Sequence, residues 1–421
     1  MRISISPILA VALAMMALVS TKTGRDSAFL TESRLEDLPL AYLLIAVVSI
    51  PASMLHIEAM RRWGTRGARV RLLVFIAGIF AAFVPFLDRG NRATNTIFFV
   101  IVPVAFAAVF ASVWLLAADL LEKSAPPVRQ RTYAWMGLAS MLGGIAGGLY
   151  AKAFTASPSG RFLVLNGAVF LLIVAAIVIR AHRRYPVERN QVIHNGIRVQ
   201  GGELSLITKG FTLVRNPYVL GLIGLGSAIA VCGLLVEFQF YAYSKLSGHT
   251  SPDFFANFYT LLNVAGLAVQ LFAGSWLLSR FGAGAALMVL PVGLLGGATM
   301  VALNASLLSR STLRLLEGSL KSSTHRFVWE QTYLPLGSQH RDMAKALVEG
   351  LFARMAEGLA AVAIFVWLAA IAGPMSDISL SWITVAIIVC LVVWIYLIVY
   401  LLGKGCGQSR ETVERFRLPD A

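Results

Sequence analysis

Apolar positions in this chain neither alternate in twos nor confine themselves to one stripe of a helix. They run on for the length of a bilayer crossing and are then broken by short polar stretches. A crossing needs about 20 mostly apolar residues. On that measure the pattern predicts twelve spans, near 3–21, 39–59, 72–87, 96–120, 132–154, 161–180, 217–243, 254–278, 283–308, 309–334, 343–371 and 378–402. The tenth is the most polar, with Arg310, Arg314, Glu317, Lys321, Arg326 and Glu330, and is counted because the flanking loops require it. The stretch 1–20 holds one Arg followed by apolar residues; no A-x-A-like site follows it, so it reads as a first crossing and not as a cleaved signal. One long polar connection divides the spans six and six. The predicted organisation is an N-terminal six-helix half (1–180), a cytoplasmic central loop (181–216), a C-terminal six-helix half (217–402) and a cytoplasmic tail (403–421).

Composition narrows the class. Hydrophobic residues make up 57% of the 421 and charged residues only 14%, where a soluble domain carries about 25% charged. A water-soluble enzyme is excluded, and runs of helical length do not suit an outer-membrane barrel. The fold class expected is an all-α polytopic membrane protein of 12 transmembrane helices. The net charge of +15 would suggest a polyanion partner in a soluble protein; here it first has topology to explain. Of the Lys and Arg outside the spans, 23 lie on the side of the termini and ten on the other, so both termini are expected in the cytoplasm of a multi-pass inner (plasma) membrane protein. Arg62-Trp-Gly64 ends span two and Arg280-Phe-Gly282 ends span eight, 218 residues later. Together with the six-plus-six division, these turns resemble the paired halves of major facilitator transporters, which place the solute between them near the midplane. The resemblance is partial, since Arg61 stands where that superfamily usually has Asp.

An ionisable side chain at the centre of a lipid-facing helix costs about 2.5–3.5 kcal/mol, so intramembrane charges should face protein or enclosed water. In span ten, Arg310, Arg314, Glu317 and Lys321 fall within an arc of roughly 60° at helical spacing, and Thr324 and His325 widen it to about 100°. The stripe is roughly 22 Å long and carries a formal +2, which suits the wall of an aqueous path attractive to anions. The alternative is an amphipathic helix lying on the membrane surface. Glu317 and Lys321 are spaced to pair with each other. Arg326 and Glu330, on another face, are spaced likewise. Glu237 lies in an apolar stretch with no Lys or Arg until Lys245, so it must find a cation on another helix or stay protonated. In span eleven, Lys345 and Glu349 share a face, and Arg354 and Glu357 are i,i+3 neighbours. Lys22, Arg25 and Asp26 would line one face of the cavity mouth if the first helix runs past Ser20.

Small residues in span five, Gly143-xxx-Gly147 and Gly144-xxx-Gly148, signal close helix packing and say nothing of a solute. Cys232, Cys390 and Cys406 show no paired spacing for a disulfide or zinc site. The chain has no phosphate-loop motif and no H-E-x-x-H, so no cofactor, no metal and no catalytic residue is expected.

Several stretches resemble the nucleotide (ATP/ADP) translocases. These are Lys22-x-x-Arg25-Asp26-Ser27, Leu38-Pro39-Leu40-Ala41-Tyr42, Glu237-Phe-Gln-Phe-Tyr241, Leu316-Glu317-Gly318-Ser319-Leu320, Tyr333-Leu334-Pro335-Leu336 and Arg341-Asp-Met-Ala344-Lys345-Ala346. The resemblance implies nucleotide exchange served by an acidic residue in the seventh helix, matched by Glu237, and by basic residues in the first and eleventh, matched in the first by Lys22 or Arg25. Tyr241 and Glu357 stand where the family's motifs have Lys.

The function expected from the residues is secondary active transport of a small anionic solute by alternating access. Lys22, Arg25, Arg310, Arg314 and Lys321 would bind the solute; Asp26, Glu237, Glu317, Arg354 and Glu357 would couple or gate. A proton-coupled transporter or exporter of a non-nucleotide solute is the alternative, with protons as coupling ion, and a receptor or scaffold on a transporter fold is the third. The partners expected are the solute and the lipid bilayer, with no nucleic acid.

Overall fold

A computed structural model of the chain describes residues 5–87, 91–121, 124–154, 160–184, 213–333, 336, 338–372 and 376–401. Most of the central loop, the tail and Cys406 lie outside the described residues. Among those described, the architecture is helical: α1 (Ile5–Glu32), α2 (Asp37–Phe83), α3 (Arg92–Leu121), α4 (Pro126–Phe154), α5 (Arg161–Arg184), α6 (Pro217–Leu246), α7 (Pro252–Ala268), α8 (Gly274–Leu303), α9 (Leu307–Leu320), α10 (Arg326–Gln331), α11 (Ser338–Lys345), α12 (Ala353–Trp367) and α13 (Asp377–Leu401). Four π-helical segments, Val269–Ala273, Lys321–His325, Ala346–Phe352 and Leu368–Ala372, continue the helices they follow.

Among the described residues, ten stretches are long and apolar enough to cross a membrane, and the protein is an all-α polytopic membrane protein. The two predicted spans missing from that set are also helical. One is the second part of α2, which carries Arg66, Arg69 and Arg71; the other is the charged stretch that begins with α9. Within α2 the helix breaks at Gly64, with φ 69° and ψ 158°, a region that only glycine enters without strain. The turn foreseen at Arg62-Trp-Gly64 is therefore made by the glycine itself. Its counterpart Arg280-Phe-Gly282 falls inside α8.

Packing divides the chain into two compact units: Met1–Arg189 with Ser244–Leu267, and Asn190–Tyr243 with Ala268–Ala421. The first has an apolar core to which α1 to α5 all contribute, including Ala14, Leu73, Phe80, Phe98, Val109, Met136 and Leu171. Phe80 meets Phe98 edge-on at 5.8 Å, an arrangement favoured by the ring quadrupoles. The small residues of α4 serve two neighbours at once. A Cβ on Gly147 would sit 2.9 Å from the backbone of Met16, and one on Gly143 would strike Ala12, so this pair admits α1. Gly144 and Gly148 are filled by Asn263 and Thr260 of α7. The two overlapping motifs thus read as two faces, each allowing one close approach. Arg69, 1% exposed, is held by Asp119 at 2.7 Å. This buried pair closes α2 on α3, and nothing in the spacing of the chain pointed to a role for Asp119.

Candidate functional site

Helix α9 starts where the chain supplies a cap. The Ser306 side chain accepts from the backbone of Ser309 and the Ser309 side chain accepts from the backbone of Ser306, a reciprocal box that satisfies two of the donors left open at a helix start. From there the polar stripe runs as its spacing foretold, and Arg310, Leu313 and Glu317 turn inward. Arg310, 1% exposed, sits near the positive end of the helix, where its charge is unfavourable. It is steadied by donating Nη1 to the Ala305 carbonyl at 3.1 Å and by lying 3.8 Å over the Tyr243 ring. It is thus held within the protein.

The remaining stripe forms one ladder of alternating charge. Arg314 donates Nη2 to Glu237 on α6 at 2.7 Å and Nη1 to Glu317; Lys321 donates to the other oxygen of Glu317 at 3.0 Å. Glu237 thus has the cation on another helix that its apolar setting demanded. The four charges cancel, so the formal +2 of the stripe falls to the single charge of Arg310. One turn before Glu237, Gly233 makes room: a Cβ there would lie 3.0 Å from Lys321 Nζ and 3.1 Å from Glu317 Oε1. Burial grades along the ladder. The Glu317 side chain is 4% exposed and that of Arg314 12%, while Glu237 is 23% and Lys321 44% exposed. The middle of the ladder is buried and its two ends keep partial exposure, an arrangement in which an anion can exchange with a carboxylate on a cation.

A second cluster lies on α1, which continues well past Ser20. Asp26 is fully buried and takes a hydrogen bond from Arg25 Nε at 2.6 Å and another from the Tyr259 hydroxyl. The Arg25 guanidinium stacks on Phe99 and the Lys22 ammonium on Tyr259, at 4.3 and 4.8 Å. The spacing put Lys22, Arg25 and Asp26 together at a cavity mouth. Together they are, but Arg25 and Asp26 are enclosed by protein; only Lys22 keeps partial exposure.

In the eleventh predicted span, Arg354 and Glu357 pair at 2.7 Å, as their spacing suggested. One pairing suggested by spacing, that of Arg326 with Glu330, is corrected. Glu330 takes Lys345 at 2.6 Å and not Arg326, which is exposed. Glu349 accepts the Trp329 indole at 2.8 Å, while Lys345 pairs with Glu330. Tyr241 is buried, 1% exposed, beside Phe240. Tyr259 and Lys245 were missed because an aromatic and a terminal lysine carry no local signal of a partner more than 200 residues away. No group of three or more His, Cys, Asp or Glu able to hold a metal occurs among the described residues.

The fold is shared with solved membrane transporters. The chain aligns with the nucleoside transporter NupG at TM-score 0.61 and 11% identity, over 96% of this chain and 99% of that one. It also aligns with a bacterial homologue of the human lysosomal transporter Spinster, in an inward-facing and unoccupied conformation, at TM-score 0.62 and 14% identity, over 94% and 96%. A bacterial metal transporter aligns at TM-score 0.61 and 13% identity, over 95% and 98%. No family model and no curated protein sequence matches the chain.

Proposed function

We propose that this protein is a secondary active transporter that moves a small anionic solute by alternating access, with the Glu237–Arg314–Glu317–Lys321 ladder as its solute site. The observation that carries this reading is that Arg314 is shared by two carboxylates. A buried charge is tolerated only while it is paired, and here the partner can be exchanged without leaving a cation bare: an anion entering beside Glu237 takes the place of a carboxylate. The matching of opposite charges across α6 and α9 also offers a coupling route. When the anion holds Arg314, Glu237 loses that contact, so solute binding and the state of Glu237 are linked. Proton coupling is therefore the second reading, and it shares the same site.

Nucleotides are the first solutes to test, on the strength of the translocase-like motifs around Glu237 and Glu317. Liposomes containing the protein and loaded with ADP should accumulate labelled ATP by counterflow, and Arg314→Gln should abolish it. Proton coupling would add a loss of uptake on collapse of the pH gradient, which pure exchange lacks. Absence of counterflow with every nucleotide would remove that solute class. The wider anion reading is then tested by thermal stabilisation with phosphate esters and dicarboxylates, since a ligand preferring the folded state raises its stability. Both termini are placed in the cytoplasm of the inner membrane under this proposal, from the bias of basic loops.

A further inference from the structure

Two cysteines that no spacing in the chain connects, Cys232 and Cys390, are brought together by the packing of α6 against α13. The two helices run antiparallel and are tied at both ends of the shared stretch. At one end a Cβ on Gly221 would lie 2.7 Å from Leu401 Cδ2, and one on Gly224 would lie 3.5 Å from Leu397 Cδ1. At the other end Gln239, 1% exposed, donates Nε2 to the Leu380 carbonyl at 3.1 Å and to the Thr384 hydroxyl at 2.5 Å. Between these ties Cys390 donates its thiol to the Ala228 carbonyl at 3.5 Å. Ala228 lies one turn before Cys232, and in an α-helix its carbonyl is the one that the Cys232 amide reaches. The Cys390 sulfur therefore stands at the turn of α6 that carries the Cys232 thiol, and the two thiols hydrogen-bond each other.

Both cysteines are free thiols, and they differ in access: Cys232 is fully buried and Cys390 is partly exposed. The pair also lies beside the ladder. Cys232 is followed by Gly233, where a Cβ would meet Lys321 Nζ and Glu317 Oε1. One turn of α6 thus carries a thiol toward α13 and yields space to two charges of the ladder. Two cysteines close to a disulfide only where the backbone already brings their Cβ atoms within reach. The contacts at Gly221, Gly224 and Gln239 hold α6 and α13 in register while the two side chains rotate to meet.

We propose that Cys232 and Cys390 form a dithiol that hydroperoxides convert to a disulfide, covalently fixing α6 to α13 beside the ladder. Cys390, the more accessible, attacks hydrogen peroxide: an S–O bond forms, the O–O bond breaks, and water leaves. The Cys232 sulfur then attacks the resulting sulfenic sulfur, the S–S bond forms, and the hydroxyl departs with the thiol proton as a second water. Two thiols and one peroxide thus give one disulfide and two waters, and a dithiol reductant reverses the change. The test uses the full chain with Cys406→Ser, reconstituted in liposomes, treated with hydrogen peroxide, then unfolded and labelled with a maleimide large enough to shift the band on a gel. Untreated protein should take two labels. Treated protein should take none while running as a monomer, should yield a linked peptide containing both residues, and should recover both labels with dithiothreitol. The unfolding midpoint should rise on oxidation, as expected of a cross-link between distant residues, and should not rise in Cys232→Ser protein. Labels retained after peroxide, labels lost only through linked dimers or through oxygen added to Cys390 alone, or a midpoint that falls on bridging, each overturns the proposal. None of these readouts involves a solute. The consequence for transport rests on the ladder as the solute site: movements around a site set many turnover rates, so counterflow should slow about tenfold in bridged protein and recover with dithiothreitol. An unchanged rate in fully bridged protein would count against the ladder and leave the dithiol standing.

Discussion

Arg314→Gln should be the most damaging substitution in the C-terminal part of the chain. It leaves Glu317, 4% exposed, with Lys321 as its described cation and takes the Arg314 contact from Glu237. Breaking a buried pair by removing one partner costs about 3–5 kcal/mol, and the partial exposure of Glu237 and Lys321 sets the expectation at the lower end, about 3 kcal/mol. Equilibrium unfolding in a denaturing detergent measures it. The double variant Arg314→Gln with Glu317→Gln removes a charge of each sign and should recover most of that stability, since the two positions act as one network. It should not recover anion-induced stabilisation or counterflow, because the cation that meets the solute is gone. Recovery of both would reduce Arg314 to a structural residue.

Asp26→Ala should be as costly at the other cluster. Asp26 is fully buried and accepts from Arg25 and from Tyr259. Its removal takes the carboxylate from a guanidinium only 4% exposed, again about 3–5 kcal/mol. Asp26→Asn keeps an oxygen for Tyr259 and should lose less. The control is Glu58→Gln. Glu58 pairs with Arg62 at 2.5 Å, but the Arg62 side chain is 69% exposed, and such surface pairs contribute about 0–1 kcal/mol. Unfolding midpoints should therefore fall in the order Glu58→Gln, Asp26→Asn, Asp26→Ala. An Asp26→Ala protein as stable as the parent would mean that Asp26 is not the carboxylate that neutralises Arg25.

Much of the fold is legible in the order of residues alone. Span length follows from apolar run length, and among the described residues ten runs suffice by that measure. The stripe on α9 follows from a fixed 100° advance per residue, which holds up to Leu320 because the helix is regular there. Beyond it, π segments at Lys321–His325 and Ala346–Phe352 insert extra residues into the turn, and spacing rules lose their meaning. Lys345 and Glu349 flank the start of the second, so the face they share by spacing is no guide to their partners, Glu330 and the Trp329 indole. For Glu330 the reason is different: an ammonium brought near by chain reversal competes better than Arg326, its neighbour on the helix. Glu237 shows the other limit. Its apolar setting required a cation elsewhere, but nothing local named Arg314, 77 positions away. The glycines of α4 announced close packing without saying that α1 and α7 would each take one face.

The site rests on charged groups of α9 and the π segment after it meeting water within the bundle, and Lys321 is the place to ask. In protein with Cys232, Cys390 and Cys406 replaced by Ser, Lys321→Cys should react readily with aminoethyl methanethiosulfonate added from water. The reaction restores a cation at position 321 and, with it, the anion-induced thermal stabilisation that the substitution removes; a neutral methanethiosulfonate should react without restoring it. A thiol at 321 that no water-borne reagent reaches in the folded protein would contradict the placement of the ladder on an aqueous path.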